Sequence, residues 1–89
     1  MSQKKPAKTY RHATKSRSVE AAIWENENQD GGTFYSTTFR VQYKDGGEWK
    51  DAKGYGVGDL YQLIRAATDA AAFIFFEENR QRREMEKAA

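Results

Sequence analysis

Aromatic rings and cations are interleaved with small polar side chains along residues 34–50, which read FYSTTFRVQYKDGGEWK. The even-numbered positions carry Phe34 at one end and Arg40 and Lys44 at the other. Proteins that bind single-stranded nucleic acid combine such residues, because bases stack on the rings while cations neutralise phosphates, and each stacked base contributes about 1–3 kcal/mol. The residue types therefore favour a surface for an extended single strand, although a solvated strand face can have the same composition.

Catalytic and metal-binding chemistry have little support in the same sequence. The chain has no cysteine and a single histidine, His12, so neither a thiolate metal site nor a histidine cluster is available. The carboxylates lack an apolar context, and Asp51 is expected to pair with Lys53. Residues 54–58, GYGVG, lack the lysine and hydroxyl residue of a P-loop. We therefore expect a protein that is not an enzyme and that uses no cofactor or metal.

The charge of the chain is divided unevenly between its N-terminal segment and the rest. The 89 residues carry 15 Lys and Arg against 13 Asp and Glu. Residues 1–18 hold six of these cations and no acid, so residues 19–89 have a net charge of −4. Because residues 1–18 contain few bulky apolar side chains, we expect them to form a disordered basic tail. Such a tail either attracts nucleic acid or only increases solubility.

The sequence contains no stretch that predicts a membrane span. The longest strongly apolar run covers residues 70–76, far short of the about 20 residues that cross a bilayer. The lysines near the N-terminus are not followed by the apolar stretch of a secretory signal. We therefore expect a cytoplasmic protein.

Two stretches of alternating side chains, residues 19–24 and 33–44, predict neighbouring strands of an antiparallel sheet. The first is followed by a polar turn at 27–32, and the second by the hairpin sequence Asp-Gly-Gly at 45–47. Odd-numbered apolar residues at 55–57 indicate a short last strand. The sheet should therefore have three to four strands, with its odd-numbered residues facing a core.

The length of the hairpin loop decides which side chains share a face. A three-residue loop pairs Lys44 with Glu48. This register places Trp49 on the core face and Lys50 on the open face, whereas a slip of one residue would exchange them. The nucleic-acid-binding residues predicted for the open face are Trp24, Phe34, Arg40, Lys44 and Lys50.

One long helix is predicted from about Asp59 to Glu86, with Gly58 as its N-cap. The apolar residues at helical spacing that should face the sheet are Leu60, Leu63, Ile64, Ala67, Ala71 and Ile74. The fold class is therefore α+β: a curved antiparallel sheet of three to four strands, followed by one long C-terminal helix packed on one face, in a single domain over residues 19–87.

Three further phenylalanines, Phe73, Phe75 and Phe76, cannot all join the sheet-facing stripe of this helix. A helix that is apolar on all sides must be buried on all sides. Because a domain of this size is marginally stable alone, we expect a homodimer with these three phenylalanines in its interface. The alternative is that Phe75 or Phe76 folds back on the edge of its own sheet.

The order of these elements and several short segments resemble the single-stranded-DNA-binding domain of the transcriptional coactivator positive cofactor four and its small bacterial relatives. The similar segments are FRVQY at 39–43, DGGEWK at 45–50, KGYGV at 53–57 and LYQL at 60–63, within a match over about residues 19–76. The resemblance implies a DNA-binding dimer that regulates transcription or replication without catalysis. It also implies that Arg40 and Lys53 contact the DNA backbone, with Lys50 as a third contact.

The same comparison leaves a second function open. The lysine cluster of the family is reduced to Lys53, and Gly58 replaces the Ser or Thr that caps the family's helix. Together with the net negative charge of residues 19–89, these differences favour the alternative of a protein–protein interaction module. Such a module would have the same dimeric scaffold and would bind nucleic acid only through its basic tail.

Overall fold

The structure is a computed structural model that describes residues 5–88. It has the α+β architecture predicted from the sequence, an open antiparallel sheet followed by one C-terminal helix. The elements are β1 (Lys8–Ala13), β2 (Arg17–Glu27), β3 (Thr33–Asp45), β4 (Glu48–Asp51) and α1 (Val57–Ala88). The strands lie in the sheet in the order β1-β2-β3-β4, so each one pairs with its neighbour in sequence.

Strand β1 and the first two residues of β2 lie in the segment 1–18 that the sequence predicts to be disordered, so that prediction is wrong for residues 8–13 and 17–18. The strand pairs with β2 from Lys8 opposite Ile23 to Ala13 opposite Ser18. Tyr10 packs against the core from this strand. Strand pairing satisfies the backbone groups and one aromatic ring contributes buried area, which together order a segment of solvated composition. Residues 1–4 of the predicted tail lie outside the described residues.

The core lies between the central strands and α1, as the alternation in β2 and β3 predicts. Odd-numbered residues of these strands face the helix, and Ala66 and Ala70 of α1 pack directly onto them. Because both helical residues are small, the helix approaches the sheet closely. The buried strand residues of this core are Val19, Ala21, Ile23 and Val41.

The hairpin between β3 and β4 has a two-residue loop rather than the predicted three. Gly46 and Gly47 have φ values of 60° and 89°, which suits the left-handed pair of a type I′ turn. Asp45 therefore pairs with Glu48, and the register of β4 shifts by one residue. The predicted faces of Trp49 and Lys50 are consequently wrong: Trp49 lies on the open face and Lys50 on the helix side.

The predicted short strand at 55–57 is absent from the described residues, because the chain after β4 forms a loop and α1 begins at Val57. The Gly56 N–H donates a hydrogen bond to Asp59 Oδ2 at 2.9 Å, and its carbonyl accepts one from the Leu60 N–H at 3.0 Å. This is one half of a capping box, with Gly56 as the N-cap in place of Gly58.

The rotation of α1 about its axis also differs from the prediction. Leu63 and Ile74 pack against the core as expected, but Leu60 and Ile64 are exposed. The reason lies at the first turn, where Asp59 is buried and accepts hydrogen bonds from the Arg17 guanidinium of β2. With this pair in place, Ala66 and Ala70 lie against the sheet, whereas Leu60 and Ile64 point away from it.

The three phenylalanines of α1 separate into two groups. Phe73 packs edge-on against Tyr35 of β3, with ring centroids 6.3 Å apart, so it belongs to the core of its own chain and not to the predicted interface. Phe75 and Phe76 are 69% and 72% exposed, so neither of them folds back on the sheet edge.

We expect the two hairpin glycines to respond differently to substitution. Gly47→Ala should lower the free energy of unfolding by about 1–2 kcal/mol, because a Cβ is strained at positive φ. Gly46→Asn should be neutral or stabilising, since Asn-Gly is the preferred type I′ pair. Urea denaturation of both variants checks the turn, and equal losses from the two substitutions would contradict it.

Asp59 should make the stability of the fold depend on pH. Hydrogen bonds from Arg17 lower the pKa of Asp59 below its ordinary value of 3.8, burial opposes this, and the Gly56 N–H adds to the lowering. Since the folded pKa is the lower one, the stabilisation is present above pH 3.8 and is lost as the pH falls through the folded value.

Asp59→Asn should therefore lower the free energy of unfolding at pH 7 by about 1–3 kcal/mol, the range for hydrogen bonds to charged groups. The difference from the parent should shrink in acid. Asp69→Asn is the matched control, because Asp69 lies on the same helix, is 42% exposed and faces His12 at 3.2 Å. Thermal unfolding across pH 2–7 measures the stability of both variants. A larger loss of stability for Asp69→Asn than for Asp59→Asn would contradict the role given to Asp59.

Candidate nucleic-acid interface

We call the sheet surface turned away from α1 the open face. It is formed by the odd-numbered residues of β1 and β4 and the even-numbered residues of β2 and β3. Its aromatic and cationic side chains are Arg11, Trp24, Phe34, Arg40, Lys44 and Trp49.

One end of the open face holds a tryptophan with two cations beside it. The guanidinium carbon of Arg11 lies 5.7 Å from the centroid of the Trp49 ring, and Lys44 Nζ lies 5.8 Å from it. Both distances are within the range of cation–π attraction. Arg11 Nε also donates a hydrogen bond of 2.9 Å to Ser18 Oγ, and Ser18 is buried although it lies on the open face. We call Arg11, Lys44 and Trp49 the tryptophan cluster.

Arg40, also on the open face, binds the carboxylate of Asp51, which a phosphate of a ligand could replace. Its Nε donates a 3.0 Å hydrogen bond to Asp51 Oδ1, which also accepts one of 3.3 Å from Gln42 Nε2. The Arg40 and Asp51 side chains are both well exposed. Such exposed pairs contribute little to stability, so a phosphate can compete with Asp51 for Arg40.

The other end of the open face carries two more aromatic rings. The Trp24 Nε1–H donates to Thr38 Oγ1 at 2.9 Å, which fixes the polar edge of the indole, and Phe34 is 43% exposed. Trp24 is opposite Ser36, eight residues along β3 from Lys44. At about 3.4 Å per residue, the two aromatic ends are about 27 Å apart, which is enough for several nucleotides of an extended strand.

The open face does not share the net negative charge of residues 19–89, because its cations and acids from that range are equal in number and Arg11 of β1 adds one more cation. Its strand positions carry three cations, Arg11, Arg40 and Lys44, against the two acids Glu20 and Asp51. Other acids lie elsewhere in the molecule, as on α1, where Glu77 and Glu84 pair with Arg80. The fold therefore separates its charges, and the net negative charge does not describe this surface.

Four of the predicted site residues lie together on the open face: Trp24, Phe34, Arg40 and Lys44. Lys50 does not, because it is on the helix side of β4, where its Nζ is 3.1 Å from Asp45 Oδ2. Lys53 is exposed in the loop after β4.

Two members of the tryptophan cluster were missed from the sequence. The sequence places Trp49 in the core because a three-residue loop suits Asp45-Gly46-Gly47 as well as the two-residue loop that forms. Arg11 falls within the predicted tail, and residues 8–13, KTYRHA, do not alternate between apolar and charged side chains, so only the strand-favouring Thr9 and Tyr10 indicate a strand there.

A cleft of about 370 Å³ lies on the helix side of the sheet, at the first turn of α1. His12, Arg17 and Asp59 contribute to its lining. These three polar groups have partners within the chain: Arg17 binds Asp59, and His12 Nε2 lies 3.2 Å from Asp69 Oδ2. The polar groups of the cleft therefore hold β1 and β2 to the helix.

Two kinds of feature are absent from the part of the chain that the structure describes. No helix among residues 5–88 combines the length and apolar character needed to cross a membrane. Within the same residues, no three His, Asp or Glu side chains are grouped so that they could hold a metal ion.

Comparison of the chain with protein-family models, curated proteins and solved structures gives no match. The resemblance to the positive cofactor four family therefore stays a prediction. The functional assignment has to rest on the geometry of the open face.

Proposed function

We propose that this protein binds single-stranded nucleic acid, DNA or RNA, on the open face of its sheet and has no catalytic role. The tryptophan cluster is the observation that carries the proposal. It combines an indole ring with two cations within 6 Å of its centroid on an exposed sheet surface. This is the pairing of stacking platform and positive charge that single-strand binding requires.

In the proposed complex a base stacks on Trp49 while Arg11 and Lys44 turn from the ring to the flanking phosphates. The cations already lie beside the ring, so they need to move only by rotation of their long side chains. Arg40 exchanges Asp51 for a further phosphate at low cost, because its present ion pair is exposed. Trp24 and Phe34 provide stacking surfaces for bases farther along the strand.

Preference for single strands over duplex follows from the rings. A duplex keeps its bases within the stack, so it can offer only phosphates to this surface. The aromatic residues would then contribute nothing, and the three cations of the open face alone would give weak, salt-sensitive binding.

The stacking role of Trp49 can be tested by fluorescence anisotropy of a labelled 20-nucleotide single strand and its duplex. Trp49→Ala should weaken single-strand binding roughly 5- to 150-fold, as expected from the loss of one stacked base, and should leave duplex binding nearly unchanged. Tyr55→Ala is the matched control, since Tyr55 is an exposed aromatic residue in the loop before α1. Circular dichroism confirms that both variants are folded.

Two results would overturn the proposal. One is single-strand binding by Trp49→Ala that is as tight as that of the parent, and the other is equal binding of single strand and duplex by the parent itself. Either result would favour the protein-interaction module, in which any nucleic-acid binding is a property of the basic N-terminal residues.

A pair of cation variants tests the register as well as the site. Arg40→Gln should weaken single-strand binding and reduce the slope of log affinity against log salt by about 0.7, the value for one phosphate on a single strand. Lys50→Gln removes the same charge from the opposite side of the sheet and should change neither quantity appreciably. If Arg40→Gln and Lys50→Gln changed the affinity and the salt slope equally, the phosphates of the ligand would not bind at the open face.

A further inference from the structure

Large apolar side chains cover the surface of α1 opposite the sheet. They are between 48% and 72% exposed, whereas the residues of α1 that pack fully against the sheet are Ala66 and Ala70. The helix thus buries only small apolar residues completely, packs Leu63, Phe73 and Ile74 partly against the core, and leaves six other large side chains mostly exposed. These exposed residues are Val57, Leu60, Tyr61, Ile64, Phe75 and Phe76.

The spacing of this surface is that of a helix–helix seam. Residues 57, 61, 64, 68, 71 and 75 are separated alternately by four and three positions, which is the a/d pattern of a coiled coil. We call these six residues the outer seam. They are Val, Tyr, Ile, Thr, Ala and Phe, with no charge among them, and the same spacing next reaches two charged residues, Glu78 and Arg82. A second helix is the partner that fits such a stripe.

We propose that this second helix is α1 of another copy of the chain, packed antiparallel across the outer seam with Thr68 at the centre. In this arrangement Ile64 of each copy lies opposite Ala71 of the other, and Tyr61 lies opposite Phe75. The layers on either side of the central Thr68 pair then match a large side chain with a smaller one and two aromatic rings with each other, whereas Val57 lies beyond them, opposite Asn79 of the other copy. A parallel pair would instead place Ala71 against Ala71 and Phe75 against Phe75, which two straight helices cannot pack without a void.

The exposed area agrees with a dimer of ordinary size. With about 150–250 Å² for each aromatic side chain and somewhat less for each aliphatic one, the exposed fractions of the four large seam residues amount to roughly 470 Å² per copy, and Leu60 and Phe76 on the two flanks of the seam raise this to roughly 700 Å². A stable interface buries about 800 Å² per partner. The alanines between the large residues and the side of Thr68 contribute the remainder.

The composition of the chain's own core explains why a second copy is needed. Four of the seven buried apolar residues among those described are alanines, namely Ala21, Ala22, Ala66 and Ala70. A small domain with so little buried apolar area is marginally stable alone. Burial of the outer seam between two copies supplies the missing area, and the antiparallel arrangement also opposes the two helix dipoles favourably.

Sedimentation at micromolar concentration tests the association itself, without any nucleic acid. The parent chain should be a dimer, and Ile64→Glu should be monomeric because it places a charge in the middle of the seam. Phe34→Glu is the matched control: it adds the same charge at an exposed apolar position on the open face and should remain dimeric. Ile64 is 61% exposed, so its substitution should leave the circular dichroism spectrum of the fold unchanged. A monomeric parent, or a dimeric Ile64→Glu, would overturn the proposal.

Disulfide cross-linking tests the antiparallel arrangement, since the chain contains no cysteine of its own. Thr68→Cys should form a cross-linked dimer on mild oxidation, because the two copies of this residue meet at the centre. Phe75→Cys should not, because its two copies are separated by about 21 Å of helix, far beyond the reach of a disulfide. Efficient cross-linking through Phe75→Cys would instead indicate a parallel pair and would contradict the proposed geometry.

Discussion

The ion pair between Arg17 and Asp59 determines how the helix meets the sheet. Arg17 begins β2 and Asp59 lies in the first turn of α1, so the pair joins the start of the central hairpin to the start of the helix. Asp59 is buried and also caps the Gly56 N–H, which leaves it little freedom to move. With this turn fixed, the rotation of all later residues of α1 follows from the helical repeat.

Two surfaces of different character result from that rotation. On one side of the molecule the sheet exposes rings and cations; on the other, the helix exposes a continuous apolar stripe. Ala66 and Ala70 lie in the core between these two surfaces, where they pack against β2. A protein of this size thus leaves both of its main layers with an outward face suited to a partner, one polar and aromatic and the other apolar.

The sequence predicts those parts of the structure that depend on the alternation of apolar and polar side chains within a strand. The period of two in β2 and β3 correctly assigns Val19, Ala21, Ile23 and Val41 to the core, and it puts Trp24, Phe34, Arg40 and Lys44 on the open face. Because successive side chains of a strand point to opposite faces of the sheet, the residues next to an apolar side chain in sequence are enough to predict which face it occupies. The α+β class follows from these strands and from the uninterrupted helical segment after them.

Where two arrangements satisfy the same local pattern, the sequence does not choose between them. The segment Asp45-Gly46-Gly47 suits loops of two or three residues, and Trp49 changes face between them. On α1, two apolar stripes compete; hydrophobicity favours the one with Leu60 and Ile64, whereas the pairing of Asp59 with a distant arginine selects the other. Strand β1 depends on pairing with β2 for its order, so its composition alone resembles that of a solvated segment.

The strictly sequential order of the strands also bears on how quickly the chain can fold. Each strand pairs with the one before it through a short turn, so most of the sheet forms from contacts between residues close in sequence. Folding rates rise as the average sequence separation of contacts falls. Docking of α1 is the exception, since His12 and Arg17 meet partners on the helix 57 and 42 residues away. The slowest step of folding should therefore be closure of the helix onto a sheet whose hairpins are already in place.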